Sequence, residues 1–299
     1  MLRALLDRIV RRSVINVMRS EWVYARLEAL EDHQRARKSA THLAPMDLQA
    51  RALDLLRCLE PEDVGGNFVR MGGAGDGGYV MLQEGLKGRV AYSLGINDDV
   101  AWDRDMAARG YDVFMYDHTI TGLPESNPRF HYARLGVRGS GLGEDTRTIE
   151  WFLGENGHAD ERDIILKIDV EDAEWSVFAE MGDDVLRRFV QIVVELHGLH
   201  RFDDDERYPV MLKALRKLSR HFAPVHVHAN NHGQCVMNAG VPVPEFLEVT
   251  FVRRSDFALS PGTRSFPTEL DSPNHPRRPE IILGAFRFPA VRNPTTPQT

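Results

Sequence analysis

The chain has 299 residues, 42% hydrophobic and 27% charged, with a net charge of −7. That size and balance suit one large globular domain with an appendage, and the acidic balance argues against general nucleic-acid binding, which needs a basic surface. Two cysteines, Cys58 and Cys235, make neither a disulfide framework nor a Cys-based zinc site, and point to a reducing, cytoplasmic setting.

Residues 1–40 carry nine Lys or Arg and five Asp or Glu, so this segment is +4 and the remainder −11. Leu2, Leu5, Leu6, Ile9 and Val10 recur at helical spacing among Arg3, Arg8, Arg11 and Arg12. Such a helix can pack on the body of the protein or on a second copy, lie on a membrane surface, or serve in targeting. No apolar run approaches the roughly 18 residues that span a bilayer. Residues 1–62 read as a helical extension. In it Asp47 caps a helix through Leu48, Ala52, Leu55, Leu56 and Leu59, and Pro61 stops it.

From about residue 65 the pattern changes. Asn67–Met71 and Tyr79–Leu82 read as short strands around the glycine-rich turn 73–78. Strands at 90–94, 112–116, 129–133, 164–168 and 190–194 then alternate with helices at 98–109, 145–157, 172–181 and 207–221, the third expected helix following the fourth strand. The cap of the 145–157 helix falls at Asp145 or Thr146. Late strands follow at 225–228 and 248–252. Alternation of this kind implies a mainly parallel sheet covered on both faces, with ligands bound beyond the carboxyl ends of the strands. The domain spans 63–285, and the Pro- and Thr-rich tail 286–299 is expected to fray.

Those carboxyl ends carry the chemistry. Gly95 and Asn97 follow the first strand of the alternation, and Asp117 the second. Leu135 and Gly136 follow the third, and Asp169 and Glu171 the fourth. Glu195 and His197 close the fifth, and His228, Asn230 and Asn231 the sixth. About twenty residues separate Gly95 from Asp117, the arrangement of a nucleotide-type site whose carboxylate accepts hydrogen bonds from ribose hydroxyls.

Gly73-Ala74-Gly75-Asp76-Gly77-Gly78 fits the dinucleotide pattern in letters only, because a strand and not a helix follows it. As a turn it lets Arg70, Asp76 and Gly77 approach a ligand. Nor does the Gly95 turn carry the glycine cluster that seats a pyrophosphate, which counts against an NAD-linked oxidoreductase. His197 or His228 can act as general base, since imidazole titrates near neutrality. Alternatively Asp169, Glu195, His197 and His228 can hold a divalent metal through mixed N/O ligands.

Leu166-Lys167-Ile168-Asp169-Val170-Glu171-Asp172-Ala173-Glu174-Trp175 resembles the K-I-D-V-E-G-x-E signature of the FkbM-like S-adenosylmethionine-dependent methyltransferases and of a related methyltransferase-like domain group. Arg70-Met71-Gly72, Asp76–Val80, Tyr92–Gly95, Tyr111–Asp117, Glu195-Leu196-His197, His226–Asn231 and Pro267–Asn274 add to the resemblance, which covers about residues 65–285. It implies a class I, Rossmann-like methyltransferase fold, a seven-stranded mainly parallel sheet, and methyl transfer usually to oxygen. By the same resemblance Gly95 and its neighbours cradle the methionine part of S-adenosylmethionine, Asp117 holds the ribose and the segment at Leu135 flanks adenine. Asp169 and Glu171 orient the acceptor or a metal, and His197 or His228 takes the hydroxyl proton. The implied acceptor is a hydroxylated small molecule such as a sugar or glycan. Asp172 departs from the pattern by standing where glycine is usual. A non-catalytic binding module on the same fold is the alternative.

Overall fold

In the computed structural model, residues 43–289 are described, and from Pro45 on they lie in one unit. The amphipathic segment expected within residues 1–40 lies outside them. Helix α1 (Pro45–Arg57) opens the described unit. Proline occupies its first position, where the missing N–H costs nothing, so Asp47 sits inside the first turn and is not the cap.

Two short strands, β1 (Phe68–Met71) and β2 (Tyr79–Leu82), pair antiparallel as a hairpin. The central strands are β3 (Val90–Leu94), β4 (Asp112–Tyr116), β5 (Phe130–Ala133), β6 (Ile164–Ile168), β7 (Phe189–His197), β8 (Phe222–Ala229) and β9 (Phe246–Arg253). They form one seven-stranded sheet in the order β8-β9-β7-β6-β3-β4-β5. Pairs along β7, β6, β3, β4 and β5 are parallel, and β9 runs antiparallel between β7 and β8. This mostly parallel α/β sheet is compatible with the Rossmann-like methyltransferase fold that the resemblance implies. Every residue of β6, β7 and β8 is buried, as in strands covered on both faces.

Helices α2 (Ala101–Ala108), α3 (Ile149–Glu155), α4 (Glu174–Glu180) and α5 (Arg207–His221) connect the strands. In α5, Met211, Ala214, Leu215 and Leu218 are buried, and their spacing puts them on one helical face. Each large apolar side chain removed from water in this way contributes about 1.5–3 kcal/mol. Arg220 and His221 complement the helix dipole in the last turn, and Phe222 turns extended to enter β8. Helix α3 is capped by Thr148, whose hydroxyl accepts from the Trp151 amide. The expected caps, Asp145 and Thr146, fall elsewhere: Thr146 belongs to a two-residue strand that pairs with Gly136–Val137.

Side chains bind the hairpin to the sheet. Gln191 of β7 accepts from the Leu82 amide (2.8 Å) and donates to the Leu82 carbonyl (3.1 Å), and the Thr250 hydroxyl of β9 donates to the Val80 carbonyl (2.6 Å). These buried polar groups satisfy backbone that no neighbouring strand reaches. The anchored hairpin brings Tyr79 to the carboxyl end of β6. Residues 286–289, at the start of the expected tail, are tied down. Phe286 is buried, and the Phe288 amide donates to Glu60.

Candidate functional site

The chain leaves β3 for β4 and β5 on one side of the sheet, then returns to β6 on the other side of β3. This reversal makes a topological switch point between β3 and β6, where open α/β sheets bind ligands. Gly95 ends β3 there with φ +78°, and a Cβ on it would overlap the carbonyl oxygen of Asp169 at the end of β6. Only glycine permits that approach. Lys167 of β6 donates to the Gly95 carbonyl (2.8 Å) and fixes the same turn from below.

Asp117 organises the other side of that turn. Its Oδ2 accepts from the Ile96 and Asn97 amides, both at 2.9 Å. Its Oδ1 accepts from the Thr119 amide (2.8 Å) and hydroxyl (2.6 Å). Burial opposes the charge, but these four donors outweigh it and hold the carboxyl below its usual range. The sequence reading gave this carboxylate to ribose. In the structure its lone pairs are filled by the protein, and its observed work is to shape the Gly95–Asn97 turn. Asn97 is exposed at the tip with φ +51°, and Leu135 is half-buried just beyond β5.

On the β6–β7 side, Asp169, Glu195 and His197 present atoms lying within 4.8 Å of one another. His197 Nε2 is 3.7 Å from Asp169, 3.5 Å from the exposed Glu171 and 4.0 Å from Glu195. Glu174, fully buried in α4, accepts from the His197 amide (2.7 Å) and lies 3.3 Å from its Nδ1. Burial alone would lower the His197 pKa, but Glu174, Glu195 and Asp169 hold it well above its usual value. Glu195 is shifted upward by burial and then by Asp169, so the group shares protons as a cluster. Tyr79 donates its hydroxyl to Asp169 Oδ2 (3.2 Å).

Residues 82–222 match the model of the methyltransferase FkbM domain. That segment is similar to the FkbM methyltransferase domain. No curated protein matches it. The matched segment runs from the end of β2 to the start of β8, so it contains the Gly95 turn, Asp117, Asp169, Glu195 and His197.

Side chains from outside the matched FkbM segment complete the floor. Asn230 Nδ2 donates to Glu195 Oε1 (2.9 Å) and Asp76 Oδ1 (3.1 Å), and Asn274 Nδ2 donates to Asp76 Oδ1 (3.0 Å) and to Glu248. The sequence reading missed Tyr79, Glu174, Glu248 and Asn274 as site residues. Glu174 had a signal, since it is the second glutamate of the signature motif.

These contacts show what several of the expected residues hold. Arg70 donates to the Gly73 and Gly75 carbonyls, both at 2.8 Å, and closes the glycine-rich turn. Gly77 in that turn sits against Asp99, while Asp76 is held by the two asparagines. His228 does not join His197. Its Nδ1 pairs with Glu248 (2.8 Å) and its Nε2 with Glu280 (3.0 Å). With both nitrogens so engaged and the ring buried, the neighbouring carboxylates overcome burial and lift its pKa to about 9, so it is a cation at neutral pH and no base.

A raised histidine pKa stabilises the fold fully below the unfolded value of 6.5, and that contribution is lost as pH rises through about 9. Urea unfolding is therefore expected to show stability falling from pH 7 to 9. His228 accounts for up to about 3 kcal/mol of the change, and His228→Gln should flatten the slope. An unchanged slope in that variant would contradict the assignment.

Asp172 has φ +87° and follows Glu171 at φ +50°. The usual glycine there is thus explained by backbone geometry, and in this chain Arg207 clamps the Asp172 carboxylate with two guanidinium nitrogens. A cavity of about 620 Å³ lies elsewhere, among Met46, Leu53, Val241, Ile282, Phe286 and Phe288. None of the strand-end carboxylates or histidines lines it.

Proposed function

We propose that the protein is an S-adenosylmethionine-dependent O-methyltransferase acting on a hydroxylated acceptor such as a sugar or glycan. The observation that carries this reading is the Gly95–Asn97 turn at the switch point of an FkbM-like segment, facing the carboxylate cluster of Asp169, Glu195 and His197. The donor set fits the cofactor. Exposed Asn97, on the turn that Asp117 shapes, offers a polar partner for ribose beside half-buried Leu135 for adenine, and the acidic ends of β6 and β7 suit a cationic sulfonium. The same acidity repels a diphosphate, which weighs against NAD.

When bound, the cofactor supplies an electrophilic methyl group. The chain aligns the acceptor oxygen with that carbon, which is the larger part of the catalytic task. The carboxylates around His197 receive the hydroxyl proton as one cluster, and Glu174 fixes the imidazole ring. Glu171 and Asp76, both exposed at the rim, offer hydrogen-bond acceptors to the hydroxyls of an acceptor.

Calorimetric titration with S-adenosylmethionine tests the reading. The wild type should bind, and Asp117→Ala should weaken binding by about 1–3 kcal/mol, since it leaves the Ile96 and Asn97 amides unsatisfied and loosens the turn that faces the ligand. Equal affinity in Asp117→Ala would put the ribose elsewhere. No binding to folded wild-type protein at millimolar cofactor would remove the methyltransferase reading.

A further inference from the structure

We propose that Asp169, Glu195 and His197 bind a divalent cation of the Mn²⁺ type at the floor of the cleft. The imidazole of His197 is the decisive feature. Its residue is only 7% exposed, and its Nε2 faces carboxylate oxygens at 3.5, 3.7 and 4.0 Å, each longer than an ordinary hydrogen bond. Buried polar groups are nearly always satisfied, so a buried ring aimed at carboxylates beyond hydrogen-bond reach calls for a partner between them. Two ligand atoms each about 2.1 Å from one ion lie roughly 3–4 Å apart, which is the spacing of His197 Nε2 from Asp169 and from Glu195. Glu174 stands behind the ring at 3.3 Å from Nδ1, where a metal-bound histidine commonly meets a carboxylate that fixes its orientation.

The neighbouring trio of Asp76, Glu195 and Glu248 also places its oxygens within 4.8 Å of one another. It differs in being already satisfied. Asn230 donates to Asp76 and Glu195, Asn274 to Asp76 and Glu248, and His228 pairs with Glu248. An ion there would have to displace those donors, whereas at His197 it fills a gap. Two carboxylates and one imidazole suit a hard ion that also accepts nitrogen, hence Mn²⁺ as the probe. The ion's role rests on the methyltransferase reading: bound beside the cofactor, it would hold the acceptor oxygen and lower the pKa of its hydroxyl. The site itself does not depend on that reading.

Titration of Mn²⁺ into the full-length protein, followed by electron paramagnetic resonance and calorimetry, tests the site. One tightly bound ion per chain is expected, with nitrogen coupling from one imidazole. Glu195→Gln, Asp169→Asn and His197→Gln should each weaken binding at least about tenfold, and His197→Gln should abolish the nitrogen coupling. Glu248→Gln should leave affinity within a few-fold. No bound Mn²⁺ at millimolar ion would overturn the site, as would equal binding in the His197 and Glu195 variants, or a larger loss in Glu248→Gln than in His197→Gln. S-adenosylmethionine is titrated into the same samples. Cofactor binding without Mn²⁺ binding refutes the metal site and leaves the methyltransferase reading intact, and Mn²⁺ binding without cofactor binding does the reverse.

Discussion

Gly95→Ala is expected to lower stability by about 3–5 kcal/mol and to abolish cofactor binding. Two effects act together at this position. The backbone has φ +78°, a region costly for any residue with a Cβ, and the added carbon would overlap the Asp169 carbonyl oxygen. That oxygen belongs to backbone fixed in the sheet, since the Asp169 amide donates to the Leu94 carbonyl at 2.9 Å. The clash therefore moves either the β3 turn or the end of β6, and both carry the site. Gly157 provides the comparison. Its φ is +75°, but open space surrounds the missing Cβ, so Gly157→Ala should cost only about 1 kcal/mol. Urea unfolding of the two variants separates strain from overlap, and equal losses would refute the close approach of β3 and β6.

His197→Ala is expected to reduce turnover about 10²-fold or more while cofactor affinity stays within a few-fold. The ring lies at the centre of the carboxylate cluster, and its removal disrupts both the proton-accepting carboxylates and the proposed metal site. His228→Ala should behave differently. It strips the buried Glu248 and the partly buried Glu280 of a cationic partner, so its main effect is lost stability. Steady-state kinetics beside thermal unfolding distinguishes the two. Equal loss of turnover at full stability in both variants would restore His228 to the chemistry.

Why the two histidines part company was hidden in the sequence. Each lies at the end of a buried strand, next to polar residues, and both looked fit for the same task. The difference arises from β9, which inserts antiparallel between β7 and β8 although it follows both in the chain. Register then sets Glu248 opposite Glu195 on one side and opposite His228 on the other. A carboxylate 20 residues downstream thus captures His228, and no local pattern announces it. The parallel core was legible, because β3, β4 and β6 are mostly apolar runs followed by glycine or acid, and they appear at the expected residues. The strand pair Cys235–Asn238 and Val241–Pro244 was not legible, since alternating prolines obscure it. Asp117 shows a subtler limit. Its position at the end of β4 was correct, but spacing does not say whether a carboxylate serves a ligand or its own turn.

A crystal structure with S-adenosylhomocysteine tests the central claim most directly. The account expects the nucleoside along the Gly95–Asp117 edge, with adenine at Leu135 and the sulfur turned toward Asp169 and His197. Ligand found in the apolar groove between Met46 and Phe288, with the strand ends of β3 and β4 bare, would contradict it.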